Sequence, residues 1–191
     1  MLTRVRVRLR AKRTEDVAQD YAWGQDRELC ELEAAIPISI PFSDYQRLFA
    51  MELRQEPKGC VRFSIETSNG EHIGNCMCYQ MDEGKGEAEV GILIGNRAYW
   101  DDGYGVEAID LLLEHVFTTT SLDKVYLHTL TWNYRAQRCF AKCGFMPCKE
   151  EPRWGRRFLV MELDRRRWEV GRYKEDPPPQ QEGGPNQVAG D

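Results

Sequence analysis

The chain has 191 residues, of which 41% are hydrophobic and 30% charged, a composition typical of one soluble globular domain and tight for two. Its net charge is −5, and because the tail from Gly171 holds two basic and four acidic residues, the rest of the chain carries −3. Such a mildly acidic domain argues against a nucleic-acid partner and is compatible with a cationic substrate, such as an amine or a basic peptide. No apolar run approaches the ~20 residues that cross a bilayer, so no membrane partner is expected.

The N-terminal segment and the cysteines indicate a cytoplasmic protein. Residues 1–13 alternate basic and apolar side chains, which predicts a half-buried strand and not a signal peptide. The seven cysteines are odd in number, which favours free thiols in a reducing compartment. Their closest spacings, C-x-C and C-x3-C, fit a structural zinc site poorly, so no metal is expected.

Turn signals and apolar periodicity divide the chain into alternating strands and helices. The predicted strands are residues 5–9, 60–67, 72–81, 88–94, 124–130 and 158–163, and the predicted helices are residues 14–24, 43–53, 106–116 and 133–143. A hairpin-rich first half followed by a β-α-β-α-β pattern predicts an α/β (α+β) domain with a mixed sheet of about six to seven strands flanked by helices. We place this domain at residues 1–168 and a disordered tail, rich in Pro, Gly and Gln, at residues 169–191.

A glycine-bearing segment connects the strongest predicted strand to a helix. Its sequence is Trp100-Asp101-Asp102-Gly103-Tyr104-Gly105-Val106. Glycines let backbone N–H groups approach a ligand, and the helix start adds unpaired N–H groups and a positive dipole end, so the segment suits a pyrophosphate. It lacks the Lys-Ser/Thr of a Walker loop, and it lies mid-chain, unlike a Rossmann fingerprint. Taken alone, the pattern is equally compatible with a plain turn.

Three blocks in order resemble the acetyl-CoA core of the GNAT superfamily, and specifically the branch of ribosomal-protein N-terminal and small-amine acetyltransferases. They are AEVGILI at residues 88–94, YWDDGYGVEA at residues 99–108, and NYRAQRCFAKCGF at residues 133–145. The resemblance covers roughly residues 4–163. It implies a single GNAT-like domain, a monomer or homodimer, that moves an acetyl group from acetyl-CoA to a primary amine by direct attack. A protein N-terminus and a small amine are both open as the acceptor.

The resemblance also implies a cosubstrate site. The strand through residues 92–94 would part from its neighbour and offer its backbone to the pantetheine arm, while the N–H groups of residues 102–106 would hold the pyrophosphate. Asn133 would hydrogen-bond the arm, and Phe140 stands where many members have tyrosine. The implied cofactor-binding residues are Ile92, Leu93, Ile94, Trp100, Asp101, Asp102, Gly103, Tyr104, Gly105, Val106, Asn133, Ala136, Phe140 and Lys142.

Acetyl transfer requires a base that takes a proton from the amine. Glu89, on the strand that would line the cleft, and His128, on the next strand, are the candidate catalytic residues, with water alone as a third possibility. The competing interpretations are a solvated strand carboxylate or one on the wrong face of the sheet, and a packed histidine. The oxyanion would be held by a backbone N–H of residues 92–94.

Three departures from the family pattern support an alternative. Trp100 stands where the family has Arg or Gln, Asp101 and Asp102 replace small or basic residues, and Phe140 has no proton to give a leaving thiolate. Carboxylates beside a pyrophosphate repel it unless they point to solvent. The alternative is therefore a catalytically weakened GNAT-like module that binds CoA or serves in interactions. A non-enzymatic scaffold using the Pro-rich tail is a third hypothesis.

Overall fold

The computed structural model describes residues 2–4, 6–55 and 58–175. These form a mixed sheet with the strand order β1-β2-β3-β4-β5-β6-β8-β7, in which only β5 and β6 are parallel. The strands are β1 (Leu2–Thr3), β2 (Val7–Arg10), β3 (Val61–Thr67), β4 (His72–Asp82), β5 (Glu87–Ile94), β6 (Lys124–Leu130), β7 (Met146–Arg153) and β8 (Arg156–Asp164). The predicted mixed sheet is confirmed, and it gains the short β1 and the edge strand β7.

Six helices flank the sheet in the described part of the chain. They are α1 (Val17–Gln25), α2 (Arg27–Leu32), α3 (Phe42–Leu53), α4 (Tyr104–Thr119), α5 (Tyr134–Lys142) and α6 (Arg165–Glu175). The predicted first helix begins as a 3-10 turn at Thr14–Asp16, and α2 follows α1 after one residue. That residue, Asp26, starts α2 because its carboxylate accepts the Leu29 N–H at 3.1 Å. Helix α6 runs across the domain boundary placed at residue 168, and residues 176–191 of the expected tail lie outside the described residues.

Alternation along the strands gives the sheet two different faces. Helix α4 covers one face, and its buried Ile109, Leu112 and Val116 join one apolar core with Cys76 and Val90. Burying each large aliphatic side chain contributes roughly 1.5–3 kcal/mol, so this layer holds the sheet and α4 together. The residues between, at positions 75, 77, 79, 89 and 91, point to the opposite face, which α1–α3 cover.

A buried ion-pair network fixes the start of the α1–α3 layer on the sheet. The Arg10 guanidinium donates to both carboxylate oxygens of Asp16 at 2.8 Å and to Glu66 at 3.0 Å, and the Ser64 hydroxyl donates to Asp16 at 2.8 Å. Burial alone would raise the pKa of Asp16, but Arg10 and the Arg13 N–H hold it below its ordinary value. Because these hydrogen bonds compensate the buried charges of Arg10, Asp16 and Glu66, the chain enters the helical layer at one defined point.

Candidate functional site

The two central strands part above their first three residue pairs. Strands β5 and β6 pair only from Glu87 with Lys124 to Glu89 with Tyr126. Beyond that point β5 stays paired with β4 up to Ile94, and β6 stays paired with β8 up to Leu130. The backbone edge of residues 90–94 therefore faces a gap, and its polar groups, apart from the Ile94 carbonyl oxygen that the Trp100 indole occupies, are available to a ligand.

A cleft of about 590 Å³ follows this gap between the α1–α3 layer and helix α5. This volume falls within the roughly 300–1,000 Å³ of typical small-molecule sites. Twelve of the fourteen residues expected to bind the cosubstrate line it: Ile92, Leu93, Ile94, Trp100, Asp101, Gly103, Gly105, Val106, Asn133, Ala136, Phe140 and Lys142. The side chains of the other two, Asp102 and Tyr104, contact Arg6 instead. Both candidate catalytic residues, Glu89 and His128, line the cleft as well.

The start of α4 presents unpaired backbone N–H groups at one end of the cleft. Gly103, the residue before the helix, has a φ of 86°, a left-handed conformation that favours glycine. A Cβ at Gly105 would lie 3.2 Å from the Cys139 sulfur, so a side chain there would press on α5. The first-turn N–H groups have no carbonyl partner within the helix, so this turn can bind an anion.

Arg6 partly compensates the acidic residues of the loop. Its Nη1 donates to the Asp102 carbonyl oxygen at 2.8 Å and lies 3.5 Å from the Asp102 carboxylate, which is 72% exposed. Its Nε donates to Glu107 at 2.7 Å. Asp101 is exposed and has a φ of 60°. The repulsion expected from Asp102 is thus reduced by solvent and by the Arg6 cation, which lies just before β2.

Helix α5 supplies the positive charge that the loop lacks. Trp100 donates its indole N–H to the Ile94 carbonyl oxygen at 2.7 Å, and the Arg135 guanidinium lies 3.4 Å from the centroid of the Trp100 ring. Arg135, Arg138 and Lys142 all line the cleft. Sequence analysis named only Lys142, although the spacing of three and four residues places all three on one helix face.

Two predicted residues on α5 have structural roles that limit what they can do. The Asn133 side-chain oxygen caps the helix by accepting the Ala136 N–H at 3.2 Å, which leaves its amide NH₂ for a ligand. Phe140 is buried against Phe145, with ring centroids 5.7 Å apart, while also lining the cleft. Its ring can pack against a ligand but carries no exchangeable proton.

Glu89 and His128, alternatives in the sequence, form one hydrogen-bonded pair. The Nδ1 of His128 lies 2.8 Å from Oε1 of Glu89, and the two side chains are only 8% and 9% exposed. The contact arises because Glu89 is paired with Tyr126, and His128 lies two residues further along the same face of β6. Glu89 also hydrogen-bonds Tyr79, and burial together with the Glu89 charge raises the pKa of Tyr79, so its hydroxyl stays protonated and donates.

A second acidic residue, Glu151, joins this pair from the edge strand β7. Its Oε1 lies 3.2 Å from Nε2 of His128, and Lys149 and Arg153 form ion pairs with its carboxylate. Sequence analysis missed Glu151 because residues 146–153 were not predicted as a strand. The alternation of charge from Lys149 to Arg153 is the one signal that would have placed these three side chains on one face.

The opposite wall of the cleft is built from paired charges and one unpaired carboxylate. Asp20 pairs with Lys12 and accepts from the Asn75 amide at 2.7 Å, and Glu52 pairs with Arg62. Glu33 also lines the cleft, yet its carboxylate has no hydrogen bond or ion pair with any residue that the structure describes. Desolvation by the cleft raises its pKa to about 7, although the residue as a whole is exposed.

The end of α2 determines where Glu33 sits. Glu33 is the C-cap residue, and the chain reverses there through an Ala34 with a φ of 54°. The Ala34 N–H donates to Glu31 O at 3.1 Å and the Ala35 N–H to Cys30 O at 2.8 Å, which is the hydrogen-bond pattern of a Schellman motif. An alanine in this left-handed conformation is uncommon, so the surrounding packing must hold the turn that places Glu33 on the cleft wall.

Two further observations concern the described residues as a set. None of their helices is both long and apolar enough to cross a membrane. No three of their His, Cys, Asp or Glu side chains are grouped so that they could hold a metal ion.

Comparison with known proteins gives one family and a consistent set of folds. Residues 6–146 match the family model described as an acetyltransferase (GNAT) domain. A curated relative, the uncharacterized N-acetyltransferase p20 of Bacillus licheniformis, is 35% identical over 65 residues, which is 34% of this chain and only 36% of that protein.

Two solved structures share the fold. A spermidine N-acetyltransferase from Vibrio cholerae, in complex with CoA and spermine, has a TM-score of 0.74 and 20% identity over 85% of this chain and 97% of its own. The aminoglycoside acetyltransferase AAC(6′)-Ib, in complex with coenzyme A, has a TM-score of 0.71 and 24% identity over 87% of this chain and 99% of its own.

Proposed function

Because the chain belongs to the acetyltransferase (GNAT) family, we propose that it moves an acetyl group from acetyl-CoA to a primary amine by direct attack. The observation that carries this proposal is the Glu89–His128 pair, which lies at the point where β5 and β6 part. There, a proton acceptor, an exposed backbone edge and an anion-binding helix start line one cleft.

The residues of the cleft fit acetyl-CoA, which when bound supplies the acetyl thioester. The backbone of residues 90–94 would hold the pantetheine arm, because it has no pairing with β6. The N–H groups at the start of α4, with Arg135, Arg138 and Lys142, would hold the phosphates. The solved structures of related fold that contain coenzyme A support this assignment.

Glu89 would take the proton from the acceptor amine. Aliphatic amines have pKa values of about 8 to 10, so at neutral pH most acceptor molecules carry an extra proton that must be removed before attack. Tyr79 and His128 both hydrogen-bond Glu89 and hold its carboxylate in the wall of the cleft. A backbone N–H of residues 92–94 would stabilise the negative charge that develops on the thioester oxygen.

The acceptor would be a small amine that carries a second positive group. The wall of the cleft formed by α1–α3 and β4 would hold the acceptor and is named the acceptor wall. Glu33 is its unpaired carboxylate, and ionisation of Glu33 becomes favourable when a cation lies beside it. Spermine and kanamycin, which are bound in solved structures of related fold, are polycationic amines and support this choice over a protein N-terminus.

The alternative of a CoA-binding module without turnover rests on Trp100, Asp101, Asp102 and Phe140. Arg6 beside Asp102 and the cations of α5 weigh against a disabled cosubstrate site. Phe140 still leaves the departing thiolate without a proton donor at that position, so the alternative needs a direct test.

Thermal melting and a transfer assay separate the two functions. Melting with acetyl-CoA, CoA, ATP and NAD at matched concentrations should show a raised midpoint only with acetyl-CoA and CoA, because a ligand that binds the folded state stabilises it. Thiol release and product mass would then be measured with n-alkylamines, the corresponding α,ω-diaminoalkanes and a peptide N-terminus. A raised midpoint without acetylated product would identify the binding module, and no change with CoA at millimolar concentration would contradict both.

A further inference from the structure

The loop between β5 and α4 presents no cation of its own to the cleft. Residues 95–103 contain a single basic residue, Arg97. Its guanidinium pairs with Asp26 at 2.8 Å and with Glu28 at 2.7 Å, at the start of α2, and it does not line the cleft. The start of α4 beside this loop suits an anion, but a phosphate bound there would have no charged partner from the loop.

The indole of Trp100 is fixed at the end of β5. Its N–H donates to the Ile94 carbonyl oxygen at 2.7 Å, and the Trp100 backbone N–H donates to the Arg97 carbonyl oxygen at 3.1 Å. An indole has one N–H and no acceptor, so this bond restricts the orientation of the whole ring. The half-buried ring lines the cleft, and the guanidinium of Arg135 lies over it.

Arg135 contacts the ring while its hydrogen-bond donors stay unused. Its guanidinium carbon is 3.4 Å from the ring centroid, a van der Waals contact that this planar group reaches by lying across the ring. The N–H groups at the edge of the guanidinium therefore remain free to donate. In the part of the chain that the structure describes, they make no hydrogen bond or ion pair. Because Arg135 lines the cleft, these donors are available to a ligand.

The position of Arg135 on α5 also favours an anion. Asn133 caps this helix, and Arg135 is the second residue of its first turn, where the helix dipole favours negative charge and disfavours a cation. The first turn of α5 contains no acidic residue that could compensate. An anionic ligand held by Arg135 would supply the missing negative charge.

We propose that Trp100 is a positioning residue for cosubstrate binding, which holds the Arg135 guanidinium ready for a cosubstrate phosphate and so replaces the cation that the loop lacks. The inference rests on the proposed function, in which acetyl-CoA occupies the cleft. Arg135 would donate to two phosphate oxygens at once, as its planar group can, and Trp100 would act through Arg135. A guanidinium that is held before the ligand arrives loses less side-chain entropy on binding.

The test is a double-mutant cycle of Arg135→Gln and Trp100→Leu, in which the Kd of CoA is measured by calorimetry without an acceptor. The Kd of 3′-dephospho-CoA, which keeps the diphosphate, is measured in parallel. Arg97→Gln is the matched control, because Arg97 also lies over the Trp100 ring, at 5.3 Å, but does not line the cleft. Trp100→Phe keeps a ring face, and the Tm of every variant shows whether it folds.

Arg135→Gln should raise the Kd of CoA about tenfold, because a charge-assisted contact with a phosphate is lost. Trp100→Leu should raise it about fivefold, and Trp100→Phe less than about threefold, because a ring remains under the guanidinium. The double variant should bind no more weakly than Arg135→Gln alone. Arg97→Gln should stay within about twofold of the wild type, since its ion pairs are exposed.

The two ligands identify the phosphate. An equal loss with both places Arg135 at the diphosphate, and a loss with CoA alone places it at the 3′-phosphate. Unchanged Kd values in Arg135→Gln would overturn the proposal, as would losses from the two single variants that multiply in the double variant. In either case a wild-type protein that acetylates an amine keeps its proposed function. If the variants weaken CoA binding in a protein that transfers no acetyl group, the role of Arg135 stands and the proposed transfer fails.

Discussion

The two walls of the cleft are built on different principles. The wall formed by residues 90–106 uses backbone geometry: an unpaired strand edge, a left-handed glycine at position 103 and the first turn of α4, to which α5 adds side-chain cations. The wall formed by α1–α3 and β4 uses side-chain charges brought from separate elements, such as Lys12, Asp20 and Asn75.

This difference shows which half of the site can vary. Backbone N–H groups recognise the phosphates and amides of a cosubstrate through geometry, so that wall tolerates few changes of conformation. The charges of the other wall can be exchanged one side chain at a time while the sheet and helices keep their positions. Substitutions in the two walls should therefore have separable effects on cosubstrate binding and on acceptor choice.

The largest effect is expected where the two walls meet, at Glu89. Glu89→Gln keeps the size of the side chain but removes the proton acceptor, so kcat should fall by roughly 10²–10⁴. The melting shift produced by acetyl-CoA should stay as in the wild type. The control is Glu87→Gln, two residues earlier on β5, where the carboxylate pairs with Lys124 at 3.4 Å. A Glu89→Gln protein that keeps most of its activity would remove Glu89 as the base.

On the acceptor wall, Glu33→Gln should raise KM for α,ω-diaminoalkanes about tenfold and leave KM for n-alkylamines unchanged. The reason is that the variant loses the contact with the second ammonium group, which contributes about 1.4 kcal/mol. Glu31→Gln, at a residue that is also exposed but does not line the cleft, is the control. Since the pKa of Glu33 is about 7, the ratio of variant to wild-type KM should grow as pH rises from 6 to 8. A ratio that does not depend on pH would separate Glu33 from acceptor binding.

Glu33 should also make the free energy of unfolding depend on pH. The folded pKa of about 7 lies above the ordinary value of 4.5, so the folded protein binds the proton more tightly than the unfolded chain. Stability is therefore lost as pH rises from 4.5 through 7, by a small amount because Glu33 is exposed to solvent. In thermal melting without ligand, the Tm of Glu33→Gln relative to that of the wild type should be higher at pH 8 than at pH 5. The same difference in Tm at both pH values would contradict the raised pKa of Glu33.

On the cosubstrate wall, Asn133→Ala should cost about 1 kcal/mol through loss of the α5 cap, which lowers Tm by about 3 °C. It should also reduce the shift produced by acetyl-CoA. Asn133→Asp keeps the cap oxygen but lacks the amide NH₂, so it should recover the Tm and not the ligand shift. If Asn133→Asp recovers both, the amide has no role in binding the cosubstrate.

The smallest effect is expected from Phe140→Tyr. A hydroxyl at this cleft-lining position can supply a proton to the departing thiolate, so kcat should rise about threefold if that proton limits the rate. The variant's Tm must be measured alongside, because Phe140 is packed on Phe145. An unchanged kcat in a stable protein would show that the thiolate leaves without help at this position.

Several elements follow from local sequence alone. Strand β6 has the predicted bounds, residues 124–130, because its alternation is clear and turns lie on both sides. Strand β7 was not predicted because Met146–Arg153 contains Pro147 and Pro152 among charged residues, a composition typical of a loop. Prolines are tolerated there because β7 is an edge strand whose outer N–H groups need no ladder partner.

The order of the main strands and helices from β2 to α5 and the glycine turn before α4 followed from the amino-acid sequence, since each depends on neighbours within a few positions. The residues expected to bind the cosubstrate came from the resemblance to the GNAT family. Sequence identified Glu89 and His128 only as separate candidates. Their contact, the approach of Glu151, the pairing of Arg6 with Asp102 and the isolation of Glu33 were decided by the tertiary structure. These depend on strand register and on packing between residues far apart in the chain, which no local pattern encodes.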